Sequence, residues 1–462
     1  MDSEFRNLPS VEKILSDKRI TQLGESYPRD LLLSLTRQKI ERERTAIVNG
    51  KPCSSLDEIV AAVSARVQSL EKPSLRPVIN ASGVILHTNL GRAPMSREAI
   101  AAMAEASKGY SNLEFNLDSG NRGSRHVHIE QLLCQLTGAE AALMVNNNAS
   151  AVLLGLTAMA RRKEVIVSRG QAVEIGGSFR IPDVMRQSGA KLIEVGTTNC
   201  TYAGDYEQAI SPRTAALMRV HSSNFKLVGF TSEATLEELV ALGKQNNLLI
   251  LDDLGSGCFL DTAKYGLAPE PTVQESIAAG AGLTFFSGDK LVGGPQAGII
   301  VGNKQYIDRL KRHPLARAVR IDKMRLAGLA ATLFHYLRGE AEIKIPVWRM
   351  ISTPTAEIER RANLWAEALG GLARIIPGET MVGGGSLPGG TLPTRLIAIG
   401  GEGKTRGRNM AQVLGRQLRS QQIPVIGRIN DDVMLLDPRS VLPEEDEIIL
   451  KSLRKLTSGL KT

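Results

Sequence analysis

The hydrophobic positions of the chain form two patterns that change near residue 75. Before that point apolar side chains recur at helical spacing around Val11, Leu31 and the segment 57–70, which predicts a small helical unit. After it, short continuous apolar runs alternate with stretches of helix length, as in parallel strands covered by helices on both faces. The runs are 141–145, 165–167, 192–195, 215–220, 248–251, 283–286 and 297–301. The pattern therefore predicts an α/β fold with a mostly parallel, seven-stranded sheet flanked by helices.

The pattern changes again after about residue 326. A helical stretch leads into a glycine- and proline-rich segment at 383–393, and shorter strand candidates follow at 396–399, 425–426 and 433–436. We therefore predict three domains: an N-terminal helical domain with its linker at 1–75, a large α/β domain at 76–325 and a small C-terminal α+β domain at 326–462.

Composition excludes several classes of protein. The 462 residues are 42% hydrophobic and 23% charged, as in an ordinary globular protein with a core. No apolar run reaches the roughly 18 residues of a membrane helix, and residues 1–10 lack the apolar stretch of a secretory signal. The four cysteines lie far apart without a CxxC pair, so neither a metal cluster nor a disulfide framework is supported. We expect a cytoplasmic protein with no membrane partner and no metal site.

The net charge of +9 is unevenly distributed. Segment 304–325 holds eight lysines and arginines against two aspartates, and segment 404–428 holds six basic residues and no acidic one. A solvated helix face accounts for either segment alone, whereas the two together make nucleic acid a second interpretation. With 4% aromatic residues for base stacking, charge leaves RNA binding as a suggestion.

Three loops at predicted strand ends carry candidate chemistry, since ligands of parallel sheets bind at the carboxyl ends of the strands. The loop of Asn147, Asn148 and Ala149 opens a helix, and helix N-termini bind anions such as phosphate. An ordinary helix cap is the alternative. Asp253 follows the 248–251 run, where a buried carboxylate needs a partner such as a protonated heterocyclic nitrogen. A helix cap or a metal ligand is the alternative there.

Lys290 lies in a glycine-rich turn after the strongly apolar 283–286 run. Apolar surroundings lower the pKa of an amine, and a neutral amine can form a Schiff base, whereas the alternative is a surface lysine. Three features therefore follow one another along the chain: a helix start that can bind an anion, an aspartate at a strand end, and a lysine. Fold-type-I enzymes that use pyridoxal 5′-phosphate (PLP) place their cofactor contacts in that order.

The turn around Lys290 also resembles a known family. Segment 287–298, SGDKLVGGPQAG, is similar to the bacterial selenocysteine synthases, the L-seryl-tRNA(Sec) selenium transferases. Similar blocks follow in order along nearly the whole chain, at 76–80, 87–93, 146–149, 174–177, 180–183, 195–199, 253–257 and 425–428.

The resemblance implies a fold-type-I PLP-dependent transferase with a defined set of site residues. Lys290 would bind PLP covalently, Asp253 would face the pyridine nitrogen, and the Asn147–Asn148–Ala149 loop would hold the phosphate. Two further groups are implied: Arg92, Arg317 and Arg320 as ligands of selenophosphate, and Asp289 and Thr197 as residues near the reacting centre. The N-terminal domain would bind tRNA, and the chains would assemble as a homodecamer, a pentamer of dimers.

The implied reaction converts L-seryl-tRNA(Sec) to L-selenocysteinyl-tRNA(Sec). Water is eliminated to give an aminoacrylyl-tRNA intermediate, and selenium from selenophosphate then adds to it. Lys290 would be the general base and Asp289 the acid. Because Arg317 and Arg320 are three residues apart, we expect them to share a helix face, and an exposed face paired with acids is the alternative to a donor site.

Two other functions stay open at this point. One is a PLP-dependent lyase of a small amino acid or an amino-sugar acid, from a paralogous group that commonly lacks the N-terminal unit. The other is an RNA-binding or structural protein on a degenerate PLP scaffold. The presence of residues 1–75 favours the tRNA enzyme over the lyase, and the presence of Lys290 and Asp253 disfavours the degenerate scaffold.

Overall fold

The computed structural model describes residues 2–71, 73–174, 180–400 and 410–460. The chain divides into two compact units, Met1–Pro77 and Val78–Thr462. Within the similar blocks, residues 175–177 lie outside the described residues, and so do Lys404, Arg406 and Arg408 of the second basic segment. All three sheets that the described residues form lie in the second unit, and its subdivision near residue 325 stays a prediction.

The N-terminal unit is helical, as its periodicity predicts. Its helices are α1 Asp2–Arg6, α2 Val11–Leu15, α3 Lys18–Leu23, α4 Arg29–Val48 and α5 Leu56–Glu71. Ser10 and Asp17 cap α2 and α3 by accepting hydrogen bonds from backbone N–H groups of the first turn. One face of each longer helix enters a shared apolar core built from Ile14, Ile20, Leu32, Leu35, Ile40, Ile59, Val60, Val63 and Val67.

The second unit begins with two short strands, β1 Ile79–Asn80 and β2 Val84–Leu86, and a 3-10 turn at Thr88–Leu90. The elements of its larger part then alternate between helix and strand: α6 Arg97–Ser107, α7 Val127–Thr137, β3 Ala141–Val145, α8 Asn148–Ala160, β4 Glu164–Ser168, α9 Ile181–Ser188, β5 Lys191–Val195, α10 Ala203–Ala209, β6 Thr214–Val220, α11 Leu236–Asn246, β7 Leu249–Gly255, α12 Val273–Ala279, β8 Leu283–Ser287 and β9 Gly298–Gly302.

The predicted seven-stranded sheet is confirmed, and each predicted run lies on one of its strands. The strand order is β3-β9-β8-β7-β6-β4-β5, and only β9 is antiparallel to its neighbours. Every residue of β3, β4, β7, β8 and β9 is buried, because helices cover both faces. The carboxyl ends of β3, β7 and β8 therefore meet at one edge, where the three predicted loops come together.

The remaining elements form a smaller α+β part. They are α13 Lys304–Arg312, α14 Pro314–Ala318, α15 Lys323–Leu337, α16 Ala341–Lys344, α17 Pro346–Ser352, α18 Thr355–Leu369, β10 Ala373–Gly383, β11 Thr391–Ile399, α19 Met410–Arg419, β12 Val425–Ile426, β13 Arg428–Asn430, β14 Val433–Leu436 and α20 Asp446–Leu460. Five strands make a second sheet in the order β13-β14-β11-β10-β2, and β1 pairs with β12.

The sequence pattern missed β10, the longest of the described strands. Pro377 and Gly378 lie in its middle and argue against a strand. The structure tolerates them because β2 pairs only with the end of β10, at Met381 and Gly383, so Pro377 has a partner strand on one side alone. β1 and β2, from the start of the unit, thus complete strand pairings with residues roughly 300 to 350 positions later in the chain.

Two searches concern the described residues only. None of their helices is both long and apolar enough to cross a membrane. None of their histidine, cysteine, aspartate and glutamate side chains form a group of three or more that could hold a metal ion.

Candidate active site at the carboxyl edge of the sheet

The loop between β3 and α8 is shaped to receive an anion. The side chain of Asn147 caps α8 by accepting a hydrogen bond from the Ser150 N–H at 2.9 Å. The first N–H groups of the helix, at Asn148 and Ala149, have no intrahelical partner. The loop packs so closely on Gly298 of β9 that a Cβ there would lie 2.0 Å from the Asn147 carbonyl oxygen. The backbone N–H groups of this loop can therefore meet a phosphate.

Two neighbouring aspartates at the end of β7 have different roles, because successive side chains of a strand point to opposite faces. Asp252 accepts two hydrogen bonds of 2.7 Å from Arg219 and one of 2.6 Å from the Ser276 hydroxyl. Asp253 lies on the other face, is 2% exposed, and accepts from the Asn148 side-chain amide at 2.9 Å and the Gly255 N–H at 3.2 Å. Asp252 is therefore part of the internal scaffold, and Asp253 faces the site.

The carboxylate of Asp253 is only partly satisfied. Both hydrogen bonds end on Oδ1, and the buried Oδ2 has no partner among the described residues. Burial raises the pKa of Asp253 to about 6, against the opposing effects of the Asn148 hydrogen bond and of nearby Lys290. A buried acceptor without a donor is costly, so this oxygen is suited to a ligand that carries an N–H.

Lys290 follows β8 and is 4% exposed. Burial is the main cause that lowers the pKa of its amine to about 8, and the nearby positive charge of Arg92 contributes to the same shift. Space for the amine is left by two glycines: a Cβ at Gly385 would lie 2.7 Å from Lys290 Nζ, and one at Gly255 would lie 3.6 Å from it. Gly385 belongs to the loop between β10 and β11, so the smaller sheet contributes to the site.

Arg92 and Asp289, both predicted site residues, form an ion pair. Arg92 Nη1 donates to Asp289 Oδ2 at 2.9 Å, and the Ala93 N–H donates to the Asp289 carbonyl oxygen at 3.3 Å. Arg92 has a φ of 63°, a left-handed conformation uncommon for a residue other than glycine. Its N–H donates to the His87 carbonyl oxygen at 3.0 Å, which closes the turn that directs the guanidinium toward the site.

Arg317 and Arg320 are exposed and lie in the segment next to the anion-binding loop. The prediction that they share a helix face is wrong, because α14 ends at Ala318 and Arg320 lies in extended backbone that bridges to Val145 at the end of β3. The Val319 carbonyl oxygen accepts from the Asn146 N–H at 2.8 Å, which fixes this segment beside the loop.

Thr197 is not brought to Lys290 within this chain. It is exposed in a turn after β5, where its hydroxyl donates to the Cys200 carbonyl oxygen at 3.0 Å and accepts from the Cys200 N–H at 3.1 Å. β5 is the edge strand, separated from β7 by β4 and β6, which corresponds to about 14 Å. The chain by itself gathers Lys290, Asp253, the Asn147–Ala149 loop, Asp289 and Arg92.

Two residues at the same edge were not predicted. His221 directly follows β6, and its Nε2 lies 3.3 Å from Glu270 Oε1. The His221 N–H also donates to the Asp253 carbonyl oxygen at 2.8 Å. The signal for His221 was present, since it ends a predicted strand, whereas Glu270 lies in a loop with no local pattern.

These residues fit PLP. The unpartnered Asp253 Oδ2 can accept from the protonated pyridine nitrogen, the start of α8 can hold the phosphate, and the Lys290 amine lies between two glycines that leave room around it. The Asn148 side chain, predicted to hold the phosphate, is instead bonded to Asp253, so its backbone N–H is what it can offer to the phosphate.

Comparison with a solved structure supports the fold. The solved structure titled D-glucosaminate-6-phosphate ammonia-lyase superposes with a TM-score of 0.60 at 23% identity, covering 86% of this chain and 99% of that one. The fold and the site define a fold-type-I PLP-dependent enzyme.

Sequence relatives identify the family. The model of the L-seryl-tRNA selenium transferase family matches residues 78–442, and that of the selenocysteine synthase N terminus matches residues 5–44. Proteins named L-seryl-tRNA(Sec) selenium transferase are 46% identical in Geobacter sulfurreducens and 48% identical in Nitratidesulfovibrio vulgaris, each covering 98% of this chain and 99% of the relative. The chain belongs to the L-seryl-tRNA selenium transferase family.

Proposed function

We propose that the protein converts L-seryl-tRNA(Sec) to L-selenocysteinyl-tRNA(Sec), with selenophosphate as the selenium donor. The observation that carries the proposal is similarity along almost the full chain to relatives of that name, with the N-terminal unit included. The PLP-dependent lyase is the second candidate, favoured only by the shared fold of an ammonia-lyase. The N-terminal match at residues 5–44 separates the two.

The cofactor would be held by Lys290, Asp253 and the start of α8. When bound, PLP supplies an electron sink for the electrons released at the α-carbon of the seryl group. Asp253 keeps the pyridine nitrogen protonated, which maintains that sink. Its two hydrogen bonds to Oδ1 fix the carboxylate in place and leave Oδ2 to accept from the ring nitrogen if PLP were bound.

Lys290 is the proposed general base. Its amine has to be neutral to accept the α-proton, and the lowered pKa of about 8 makes a substantial neutral fraction available near neutral pH. The hydroxyl of the seryl group leaves as water once it is protonated. Asp289 is the proposed donor of that proton. Its ion pair with Arg92 fixes the carboxylate in place, so the proton that it passes to the hydroxyl would be the one that Lys290 takes from the α-carbon.

Selenophosphate would be bound by Arg92, Arg317 and Arg320, because planar guanidinium groups match phosphate oxygens bidentately. The two exposed arginines lie beside the anion-binding loop, where a small dianion from solvent can reach them. Selenium adds to the β-carbon and a proton returns to the α-carbon. Water cleaves the bond between selenium and phosphorus, so phosphate and selenocysteinyl-tRNA(Sec) leave. Thr197 stays a proposed participant near the reacting centre.

We also propose that the N-terminal unit binds the tRNA, that the protein is a cytoplasmic homodecamer made of five dimers, and that part of the basic 304–325 segment contacts the RNA backbone. The net charge of +9 supports an anionic partner. Sedimentation analysis of the full-length protein checks the assembly, which should show a single species of ten chains.

The visible absorption spectrum of the PLP-loaded protein tests the function. The band of bound PLP should change on addition of seryl-tRNA(Sec), and it should not change with bulk seryl-tRNA or free serine. A band that ignores every tRNA but responds to a small amino acid or an amino-sugar acid would move the protein to the lyases. Absence of any band after addition of PLP would contradict both enzyme functions.

A further inference from the structure

A cavity of about 300 Å³ opens next to the cofactor site. Its lining includes His221 and Glu270, the apolar residues Phe225, Leu387 and Pro388, and the exposed Lys226. Neither the cofactor contacts nor the proposed donor-binding arginines use this space. A volume of this size is at the lower end of the range for small-molecule sites.

One carboxylate of the cavity lining has an unused hydrogen-bond acceptor. Glu270 is 5% exposed, and its Oε1 has no hydrogen-bond partner among the described residues. His221 Nε2 is 3.3 Å away but also makes no hydrogen bond within the described part of the chain. A buried carboxylate oxygen without a donor indicates a ligand that carries a hydroxyl or an N–H.

Two physical links place the cavity beside Lys290. The His221 N–H is bonded to the Asp253 carbonyl oxygen at 2.8 Å. The loop between β10 and β11 brings Gly385 against Lys290 Nζ and, two residues later, Leu387 into the cavity wall. A group that fills the cavity therefore lies next to the elements that carry Asp253 and Lys290.

We propose that this cavity binds the 3′-terminal nucleoside of the aminoacyl-tRNA substrate, an assignment that rests on the proposed function. An ester joins the seryl group to the terminal ribose, so that ribose has to lie close to Lys290. Carboxylates commonly accept hydrogen bonds from ribose hydroxyls, which assigns the free ribose hydroxyl to Glu270 Oε1. The base packs against Phe225, Leu387 and Pro388, since flat bases stack on aromatic and apolar side chains. Lys226 is available to the 5′ phosphate of the same nucleotide.

Calorimetric binding to the full-length, PLP-loaded protein tests this assignment with three probes. They are L-serine methylamide, the amide analogue of 3′-seryl-adenosine, and its 2′-deoxy form. We expect the seryl-adenosine analogue to bind at least about tenfold more tightly than serine methylamide. Loss of the 2′-hydroxyl should weaken binding about tenfold, the factor for one hydrogen bond to a charged acceptor.

The variant Glu270→Gln should reduce the effect of the 2′-hydroxyl to about twofold while leaving the affinity for serine methylamide unchanged. Glu207→Gln, an exposed carboxylate on α10 outside the cavity, is the matched control and should retain the full effect. The comparison of the three probes uses the unaltered protein, so it tests the assignment even if Glu270→Gln does not fold.

Equal affinity for serine methylamide and the seryl-adenosine analogue would overturn the assignment, and so would a 2′-hydroxyl effect that Glu270→Gln leaves intact. Conversion of seryl-tRNA(Sec), measured on the same preparation, distinguishes failure of the cavity assignment from failure of the proposed function. If the tRNA is converted while the nucleoside gives no preference, the cavity assignment fails and the proposed function stands. If seryl-tRNA(Sec) is not converted, the proposed function fails and the assignment fails with it.

Discussion

One chain supplies every residue of the cofactor centre, whereas the outer residues proposed for the site are exposed and are not all brought together by one chain. Lys290 and Asp253 are 4% and 2% exposed, and every contact proposed for the cofactor comes from this chain. Arg317 and Arg320 are exposed beside the same loop, and Thr197 lies on a distant edge strand. Burial adjusts the chemistry of the centre through the pKa values of its groups, whereas exposure leaves the outer residues accessible to a small anion and to a large substrate.

Removing the lysine should have the largest effect on the centre. Lys290→Ala should abolish the visible band of bound PLP and lower selenium transfer by about 10³-fold or more, because the covalent attachment and the general base are lost together. Absorption spectroscopy and a selenium-transfer assay measure the two effects. Lys244→Ala, an exposed lysine on α11, should change neither. An intact band with full activity in Lys290→Ala would mean that another lysine binds the cofactor.

The two adjacent aspartates should separate chemistry from stability. Asp253→Asn should lower selenium transfer about 10²-fold, because the ring nitrogen loses its charged partner, with little loss of folding stability. Asp252→Asn should keep the band but lower the free energy of unfolding by about 3 kcal/mol, since it leaves the mostly buried Arg219 without its charge partner. Urea unfolding and the transfer assay on both variants check the pair. If Asp252→Asn lost transfer activity and Asp253→Asn lost stability instead, Asp252 would be the residue that faces the cofactor.

The exposed arginines should affect the donor and not the cofactor. Arg317→Ala and Arg320→Ala should each raise the KM for selenophosphate about tenfold, because a charge-assisted contact to phosphate is lost, and should leave the PLP band unchanged. Arg309→Ala, an exposed arginine on α13, is the matched control. Unimpaired transfer at limiting selenophosphate in both variants would rule out the donor role.

The smallest expected effect is a shift in pH dependence. Only the neutral amine of Lys290 reacts with PLP, so the rate at which PLP-free protein captures the cofactor should rise as pH rises through about 8 and level off above it. Because Arg92 lowers this pKa, Arg92→Gln should move the midpoint to higher pH and slow capture severalfold at pH 7. Stopped-flow absorbance across pH 6 to 10 measures both curves. A midpoint near 10.5, the ordinary value for lysine, would contradict burial of the amine.

Much of this architecture could be predicted from the sequence, because its signals are local. A strand buried on both faces is a continuous apolar run, so all seven strands of the large sheet were recognised and their carboxyl ends were identified as the place for ligands. Lys290, Asp253 and the Asn147–Ala149 loop were found because each directly follows such a run. The helices α2, α4 and α5 of the N-terminal unit were recognised from periodicity for the same reason, whereas the short helices α1 and α3 were not.

Only the tertiary structure decided how distant segments meet. It paired Arg92 with Asp289 across 197 positions and brought Gly385 from the smaller sheet against Lys290. It also placed Glu270 beside His221 and formed β10 despite Pro377. These contacts depend on strand pairing and on packing between residues far apart in the chain. Local patterns of polarity report which face of an element is buried, but they carry no information on which distant residue it is buried against.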